Sequence, residues 1–188
     1  MTDILDGEYR TGQIKLHRAE DFEGMRKAGR LAAECLDMLT PYVVPGVLTS
    51  RLDDLAREFI LDHGALPACL GYRGYTHSTC ISINHVVCHG IPSDKTLKSG
   101  DIVNVDVTAY FDGVHGDTNA TFFAGDVSQE HRDLVARTDG YSGADLAHIC
   151  ESASETALLD SARTGTVRMI TQADLVSAVR AIRSSCGE

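Results

Sequence analysis

The sequence contains no long apolar run and no secretion signal. None of its segments reaches the roughly 18 consecutive apolar residues that a membrane-spanning helix needs. Residues 1–20 lack the charged and apolar regions of a signal peptide. We therefore expect a cytoplasmic chain, and its 188 residues suffice for one compact domain or for a domain with an appendage.

Two motifs that would indicate zinc or nucleotide chemistry are also absent. The six cysteines include no C-x-x-C pair, so a zinc knuckle or a thioredoxin-like motif is not expected, and the thiols should be reduced. No G-x-x-x-x-G-K-[ST] loop occurs anywhere. Without this phosphate-binding loop we expect no nucleotide cofactor.

Basic residues are scarce compared with acidic ones. Lys and Arg number 17 against 27 Asp and Glu, which leaves a formal net charge of −10 and a pI near 5.2. An acidic protein repels phosphate backbones and anionic lipid headgroups. Nucleic acid and membrane are therefore not expected as partners.

The sequence does contain a hairpin signal with an acidic residue on each side. Asp112-Gly113 between extended segments favours a two-residue turn, which pairs Thr108 with Asp117 and Asp106 with Asn119. Asp106 and Asp117 are then diagonal neighbours on one face, about 7–8 Å apart at the backbone, a gap that divalent cations could bridge. The alternative is a polar face that simply meets water, although close like charges repel unless a cation neutralises them.

Periodicity predicts a mixed amino-terminal part followed by helices alone. A helix is predicted over 20–39, and a second from an N-cap at Thr49 to Gly64. Extended segments are predicted at 80–88, 102–111 and 114–124. Residues 138–183 show only helical patterns, with a further helix start at Thr171, so a domain boundary is expected at 135–139.

The segments around the hairpin resemble type I methionine aminopeptidase, over about residues 9–137. The motifs that carry the resemblance are His-Val-Val-Cys-His-Gly-Ile-Pro at 85–92, Gly-Asp-Ile-Val-Asn-Val-Asp-Val-Thr at 100–108, His-Gly-Asp-Thr at 115–118 and Thr-Phe-Phe at 121–123. The likeness extends upstream through 67–75 and 80–84 to the helix around 25–34. These motifs are long, ordered and correctly spaced, so the resemblance is specific.

The resemblance implies a fold, a reaction and a metal centre. The fold is α/β (α+β), the amino-terminal half of the pita-bread aminopeptidase fold with a short all-α carboxy-terminal appendage. The reaction is removal of N-terminal methionine from nascent proteins, so N-terminal methionine peptides are the implied partners. In the family, five protein ligands hold two divalent metal ions (Co, Mn, Fe or Zn), and the first two ligands match Asp106 and Asp117.

The resemblance also assigns residues to substrate binding. His89 matches the histidine that contacts the substrate amide and helps to polarise it. Four residues match the walls of the pocket for the methionine side chain: Cys69, Tyr72, Tyr75 and Cys80. The sequence departs from the family at Thr76-His77, where Pro-Lys is usual, and at His85, where Glu is usual; neither position is a ligand.

The remaining family ligands, a histidine in a Gly-His-Gly-Ile-Gly type segment and two later glutamates, have no counterpart here. From Thr138 onward the sequence instead resembles the helical lid domain of AAA ATPases, through Ser-Gly-Ala-Asp-Leu at 142–146 and over about 138–183. We therefore predict a methionine aminopeptidase-like half domain at 1–137 and a lid-like helical segment at 138–188.

With two ligands of five, we expect weak metal binding and a truncated or chimeric chain that is inactive or nearly so. Three alternatives stay open: a site completed by another chain or by the tail, a non-catalytic binding module, and a non-functional fusion fragment with an AAA-type lid. His148, Glu151 and Glu155 form a further candidate metal triad, against the ordinary alternative of an exposed acidic helix face. Exposed sheet edges and apolar surface predict self-association.

Overall fold

The structure, a computed structural model, describes residues 19–186. Packing divides the chain into two compact units, the first ending at Asp126 and the second beginning at Val127. Within the described residues, no helix combines the length and the apolar character that crossing a membrane requires.

Two amphipathic helices form one layer of the first unit. α1 spans Ala19–Leu39 and α2 spans Thr49–Asp62. Their buried apolar side chains recur at the helical period: Ala28, Ala32, Cys35 and Leu39 on α1, and Leu52, Ala56 and Ile60 on α2. Burying such a stripe, more than intrinsic propensity, stabilises helices of this length. The two predicted helices are confirmed.

The predicted role of Thr49 as the N-cap of α2 is wrong. Leu48 occupies the N-cap position in an extended conformation, without a side-chain cap. The Thr49 hydroxyl donates to the Ser93 carbonyl oxygen at 3.0 Å and accepts from the Ser93 amide at 2.9 Å. Thr49 therefore ties α2 to a segment far along the chain, a contact that the local pattern does not reveal.

Among residues 19–186, four antiparallel strands form the second layer: β1 Leu66–Pro67, β2 Thr79–Ile83, β3 Asp101–Phe111 and β4 Val114–Ala124. β3 pairs with β4 along one edge and with β1 and β2 along the other. Alternate β3 residues are fully buried in the core: Val103, Val105, Val107 and Ala109. Because side chains alternate along a strand, Asp106 and Thr108 lie on the opposite face.

The hairpin predicted from Asp112-Gly113 is confirmed together with its register. The pairing joins Thr108 to Asp117 and Asp106 to Asn119. Asp112 and Gly113 have φ angles of 50° and 85°, and a type I′ turn requires positive φ at both of its central residues. Both aspartates therefore lie on the face opposite the buried valines.

The extended segment predicted at 80–88 is wrong beyond Ile83, where β2 ends. Asn84 has a left-handed φ of 55°, and its side chain bonds to the start of β3. Its Oδ1 accepts from the Ile102 amide and its Nδ2 donates to an Asp101 carboxylate oxygen, both at 2.9 Å. The turn at Asn84 directs the following residues away from the sheet.

The second unit contains α3 Gln129–Arg137, α4 Gly143–Thr164 and α5 Gln172–Ala181. Its small core consists of Ile149, Ala153, Ala178 and Val179. Ser142 starts α4 and Thr171 starts α5, each with an acidic residue three positions later that accepts from the cap amide. The predicted helix start at Thr171 is confirmed.

The packing boundary lies before the boundary predicted at 137. α3 belongs to the second unit, where the Gln172 side chain donates to the Glu130 carbonyl oxygen at 3.0 Å. The predicted division into 1–137 and 138–188 was based on resemblance to two different families, and the packing of the helices does not test it. It stays a prediction.

Candidate functional site

The first unit contains a pocket of about 760 Å³ beside the polar face of the β3–β4 hairpin. All seven residues that the resemblance assigns to metal or substrate binding line it: Cys69, Tyr72, Tyr75, Cys80, His89, Asp106 and Asp117. Its remaining lining residues are Ala68, Arg73, Gly74, Ile91, Thr108 and His115. The volume lies within the range of small-molecule and peptide-side-chain sites.

The hairpin contributes two carboxylates to the pocket. Asp117 is exposed and accepts a hydrogen bond from the Thr108 hydroxyl at 3.0 Å. Burial raises the pKa of Asp106 above its ordinary value, the nearby Asp117 raises it further, and His89 lowers it. Two like charges and one imidazole therefore influence one another here, and a cation would relieve the repulsion between the carboxylates.

His89 reaches the pocket from the segment that leaves β2. Its φ of 53° is left-handed, a conformation that is uncommon for a residue with a side chain. Gly90 holds it there, because its carbonyl oxygen accepts from the Ile81 amide at 2.8 Å and its amide donates to Ser82 Oγ at 3.1 Å. A Cβ at Gly90 would overlap the Ile81 carbonyl group, so this approach requires glycine.

Sulfur and aromatic side chains form the rest of the wall. Cys80 is buried on β2 and Cys69 is half-buried after β1, and burial raises the pKa of both thiols. Tyr75 donates its hydroxyl to the Thr79 carbonyl oxygen at 2.8 Å, and burial raises its pKa as well. Tyr72 is 60% exposed, which places its ring at the open rim rather than in the wall.

The structure adds a residue that the sequence analysis missed, namely Asp53 on α2. Its buried carboxylate accepts from the Ser78 amide at 3.0 Å, from the Thr79 amide at 2.8 Å and from the Thr79 hydroxyl at 2.6 Å. These bonds hold the start of β2 immediately before Cys80. The sequence signal that could have identified Asp53 is its place beside the apolar stripe of α2, where an acidic residue becomes buried.

Arg73 and Thr108 were also not singled out as pocket residues. Thr108 could have been found, because the predicted register places it opposite Asp117. Arg73 lies between two predicted pocket residues, but its direction depends on an unusual turn. Residue type alone does not identify either of them as a pocket residue.

The carboxylate pair does not by itself make up a dinuclear metal centre. Among residues 19–186, no group of three or more His, Cys, Asp or Glu side chains is arranged to hold a metal ion. The candidate triad in α4 is not assembled either: His148 Nδ1 lies 4.0 Å from Glu151, and both side chains are exposed. Divalent transition metals need about four to six donors, more than Asp106 and Asp117 supply.

Comparison with known proteins agrees with this geometry. A family model described as metallopeptidase family M24 matches residues 23–141, and one described as AAA+ lid domain matches residues 130–177. Methionine aminopeptidase of Rickettsia prowazekii is 54% identical over 125 residues, 66% of this chain and 48% of that protein. Methionine aminopeptidase 2 of Mycobacterium tuberculosis is 57% identical over 119 residues, 63% of this chain and 42% of that protein.

Solved structures give the same answer. The crystal structure of the Rickettsia prowazekii methionine aminopeptidase superposes with a TM-score of 0.64 at 53% identity, covering 67% of this chain and 51% of that chain. The predicted α/β pita-bread fold class is confirmed. The chain spans about half the length, or less, of the relatives it matches. Because the M24 match covers more than half of its residues, the chain belongs to metallopeptidase family M24.

Proposed function

We propose that the pocket binds the N-terminal methionine of peptides, as the amino-terminal half of a methionine aminopeptidase site. The observation that carries the proposal is the convergence of seven predicted residues, from three strands and two loops, on one pocket of about 760 Å³. We further propose that the chain alone has no appreciable aminopeptidase activity. We also propose that the chain is located in the cytoplasm.

The pocket wall suits an apolar thioether side chain. Because burial raises the pKa of Cys69 and Cys80, both thiols are neutral near pH 7 and behave as small apolar groups. Tyr75 adds an aromatic ring whose hydroxyl is already bonded to Thr79. Sulfur packs favourably against aromatic rings, so methionine gains contacts here that a small polar residue does not.

The polar end of the pocket suits the reacting amide and the terminal amine. His89 carries an imidazole that can donate a hydrogen bond to the peptide carbonyl oxygen and thereby polarise it. The carboxylates of Asp106 and Asp117 attract the positively charged amino terminus. In the family, divalent metal supplies the activated water. Since two carboxylates do not form the complete centre, we propose weak binding of Mn, Co, Fe or Zn.

The test compares binding with turnover. Calorimetry with Met-Ala-Ser and Ser-Ala-Ser should show tighter binding of the methionyl peptide, and Cys80→Asp should abolish that preference by placing a charge in the wall. Methionine release from Met-Ala-Ser with excess Mn²⁺ or Co²⁺ should not exceed the background. Equal binding of both peptides would overturn the pocket assignment. Turnover that Asp117→Asn abolishes but deletion of 138–188 leaves intact would show that this half-site suffices.

A non-catalytic binding module is the second candidate, favoured by a formed pocket beside an incomplete donor set. It differs from the first proposal in biological role and predicts the same binding result. For the second unit we propose a lid-like helical segment over 138–188. The AAA+ lid match supports it, and the missing phosphate-binding loop argues against nucleotide binding.

A further inference from the structure

Arg73 lies at the tip of a tightly bonded turn at the rim of the pocket. The Gly71 amide donates to the Tyr75 carbonyl oxygen at 2.8 Å, and the Tyr75 amide donates to the Tyr72 carbonyl oxygen at 2.9 Å. Between them Arg73 has a left-handed backbone, with φ 48° and ψ 31°. A left-handed backbone costs a residue with a side chain about 1–3 kcal/mol and persists only where the surrounding structure imposes it. The turn therefore fixes the direction in which the Arg73 side chain leaves the backbone.

The Arg73 guanidinium lies near the Tyr72 ring and has no anionic partner among the residues that the structure describes. Its central carbon lies 5.4 Å from the centre of the Tyr72 ring. The ion pairs formed within residues 19–186 do not include Arg73. By contrast, Arg168 of the second unit binds two aspartates at 2.7 Å each. Arg73 thus presents unused hydrogen-bond donors and a permanent positive charge to the pocket.

This positive charge is separate from the acidic part of the site. Arg73 reaches the pocket from the turn at residues 71–75, whereas Asp106 and Asp117 reach it from the β3–β4 hairpin. The pocket therefore has a negative end on the hairpin and a positive rim at Arg73. A ligand that matches both carries a positive amine at one end and a negative group further along, as a peptide with an acidic residue after its first position does.

We propose that Arg73 forms an anion subsite that takes the side-chain carboxylate of Asp or Glu at positions two to four of a bound peptide. The planar guanidinium matches a carboxylate with two parallel hydrogen bonds, which a neutral amide side chain cannot reproduce. The proposal rests on the proposed function, because it requires the peptide to enter amino terminus first. It makes Arg73 a specificity-determining residue.

Calorimetry with the full chain at fixed Mn²⁺ tests the subsite with three peptide pairs. The pairs are Met-Glu-Ala-Ser, Met-Ala-Glu-Ser and Met-Ala-Ser-Glu, each against its Gln counterpart. For at least one pair we expect binding of the Glu peptide about two- to five-fold tighter, the range of a partly exposed ion pair, and a smaller preference at high salt. Arg73→Gln should abolish the preference, and Arg73→Lys should retain part of it.

The matched control is Arg57→Gln, which removes the same charge from an exposed position on α2 and should retain the preference. Binding of the methionyl peptides without any Glu preference would overturn the subsite and leave the methionine pocket standing. A Glu preference that survives Arg73→Gln would also overturn it. Replacing the first Met by Ser in the Glu peptides separates the two proposals: Glu peptides that bind equally well with Ser would overturn the methionine pocket, and with it the peptide orientation that the subsite requires. A chain that binds none of the six peptides contradicts both proposals.

Discussion

At the residue scale, Asp53 shows how a buried charge can organise a pocket that it does not line. Its carboxylate satisfies the backbone amides of Ser78 and Thr79 at the start of β2. The Ser78 hydroxyl beside them is buried and has no hydrogen-bond partner among the described residues. Removing the Asp53 acceptor would leave buried donors unsatisfied.

We therefore predict that Asp53→Asn lowers the free energy of unfolding by about 1–3 kcal/mol, because the neutral amide forms weaker hydrogen bonds and places an NH2 donor where Oδ2 accepts from the Ser78 amide at 3.2 Å. Urea denaturation measures the change. Asp54→Asn is the matched control, since Asp54 is exposed on the same helix and its substitution should stay within about 0.5 kcal/mol. Equal effects of the two substitutions would contradict this account of Asp53.

Asp145 provides a pH-dependent contact in the second unit. Its carboxylate accepts from the amides of Ser185 and Ser142, both at 2.9 Å, and these bonds lower the pKa of Asp145 to about 2. A carboxyl group whose pKa is lower when folded stabilises the fold above its unfolded pKa and loses that contribution as pH falls. The contribution of Asp145 should thus be complete above about pH 4 and disappear toward pH 2.

The measurement is the difference in urea midpoint between the unsubstituted chain and Asp145→Asn, followed by helical circular dichroism. We expect a clear difference at pH 6 that shrinks as pH falls through the window between about 4 and 2. Asp139→Asn, an exposed position before α4, should show no such trend. A difference for Asp145→Asn that is equally large at pH 6 and pH 3 would rule out this linkage.

At the element scale, α1 packs directly against β4. A Cβ at Gly116 on β4 would overlap the backbone of Ala28 on α1, so the helix rests directly on the strand there. Gly116 lies immediately before Asp117. This contact therefore sets the distance between α1 and the part of β4 that carries the Asp117 carboxylate. Packing of this kind tolerates added volume poorly.

Gly116→Ala should therefore destabilise the fold by about 1–3 kcal/mol, because the helix or the strand must move to admit a methyl group. Gly29→Ala is the matched control: among residues 19–186, no atom outside the neighbouring backbone of α1 lies within 4 Å of its added Cβ, and α1 should gain about 0.5–1 kcal/mol from the lost glycine. Thermal unfolding of both variants measures the expected loss of stability in Gly116→Ala and the expected gain in Gly29→Ala. A neutral Gly116→Ala would show that the contact is looser than described.

At the scale of the whole molecule, the formed pocket contrasts with the incomplete donor set on its polar face. Two large apolar side chains on the segment that carries His89 are exposed, with Val87 at 92% and Ile91 at 63%. Exposed apolar groups favour association with other surfaces. The predicted self-association and the predicted chimeric origin both stay predictions. An uninterrupted reading frame across codons 130–145 in the genome would count against a chimera created by an error in genome assembly.

We expect sedimentation velocity to show a concentration-dependent rise in mean sedimentation coefficient, since apolar surface drives association by mass action. Val87→Ser together with Ile91→Ser should reduce the rise, whereas Val167→Ser, an exposed apolar position in the second unit, is the control for added polarity. A monodisperse monomer at every concentration, with cooperative unfolding at high temperature, would contradict self-association.

The sequence alone determined the features that depend on neighbouring residues. Asp112-Gly113 set the turn, and the turn set the register that pairs Asp106 with Asn119 and Thr108 with Asp117, because hairpin register follows from turn length. The apolar stripes located α1 and α2, and motif resemblance identified the pocket residues in advance.

Only the tertiary structure decided the features that depend on residues far apart in the chain. Asn84 ends β2 by bonding to Asp101 and Ile102, Thr49 bonds to Ser93, and Asp53 holds Ser78 and Thr79. The same holds for Arg73, whose direction follows from a left-handed turn rather than from its type. Local sequence pattern cannot show these contacts, because the packing of the elements decides which polar groups meet. A buried polar group needs a hydrogen-bond partner, and in these cases the partner comes from a distant part of the chain.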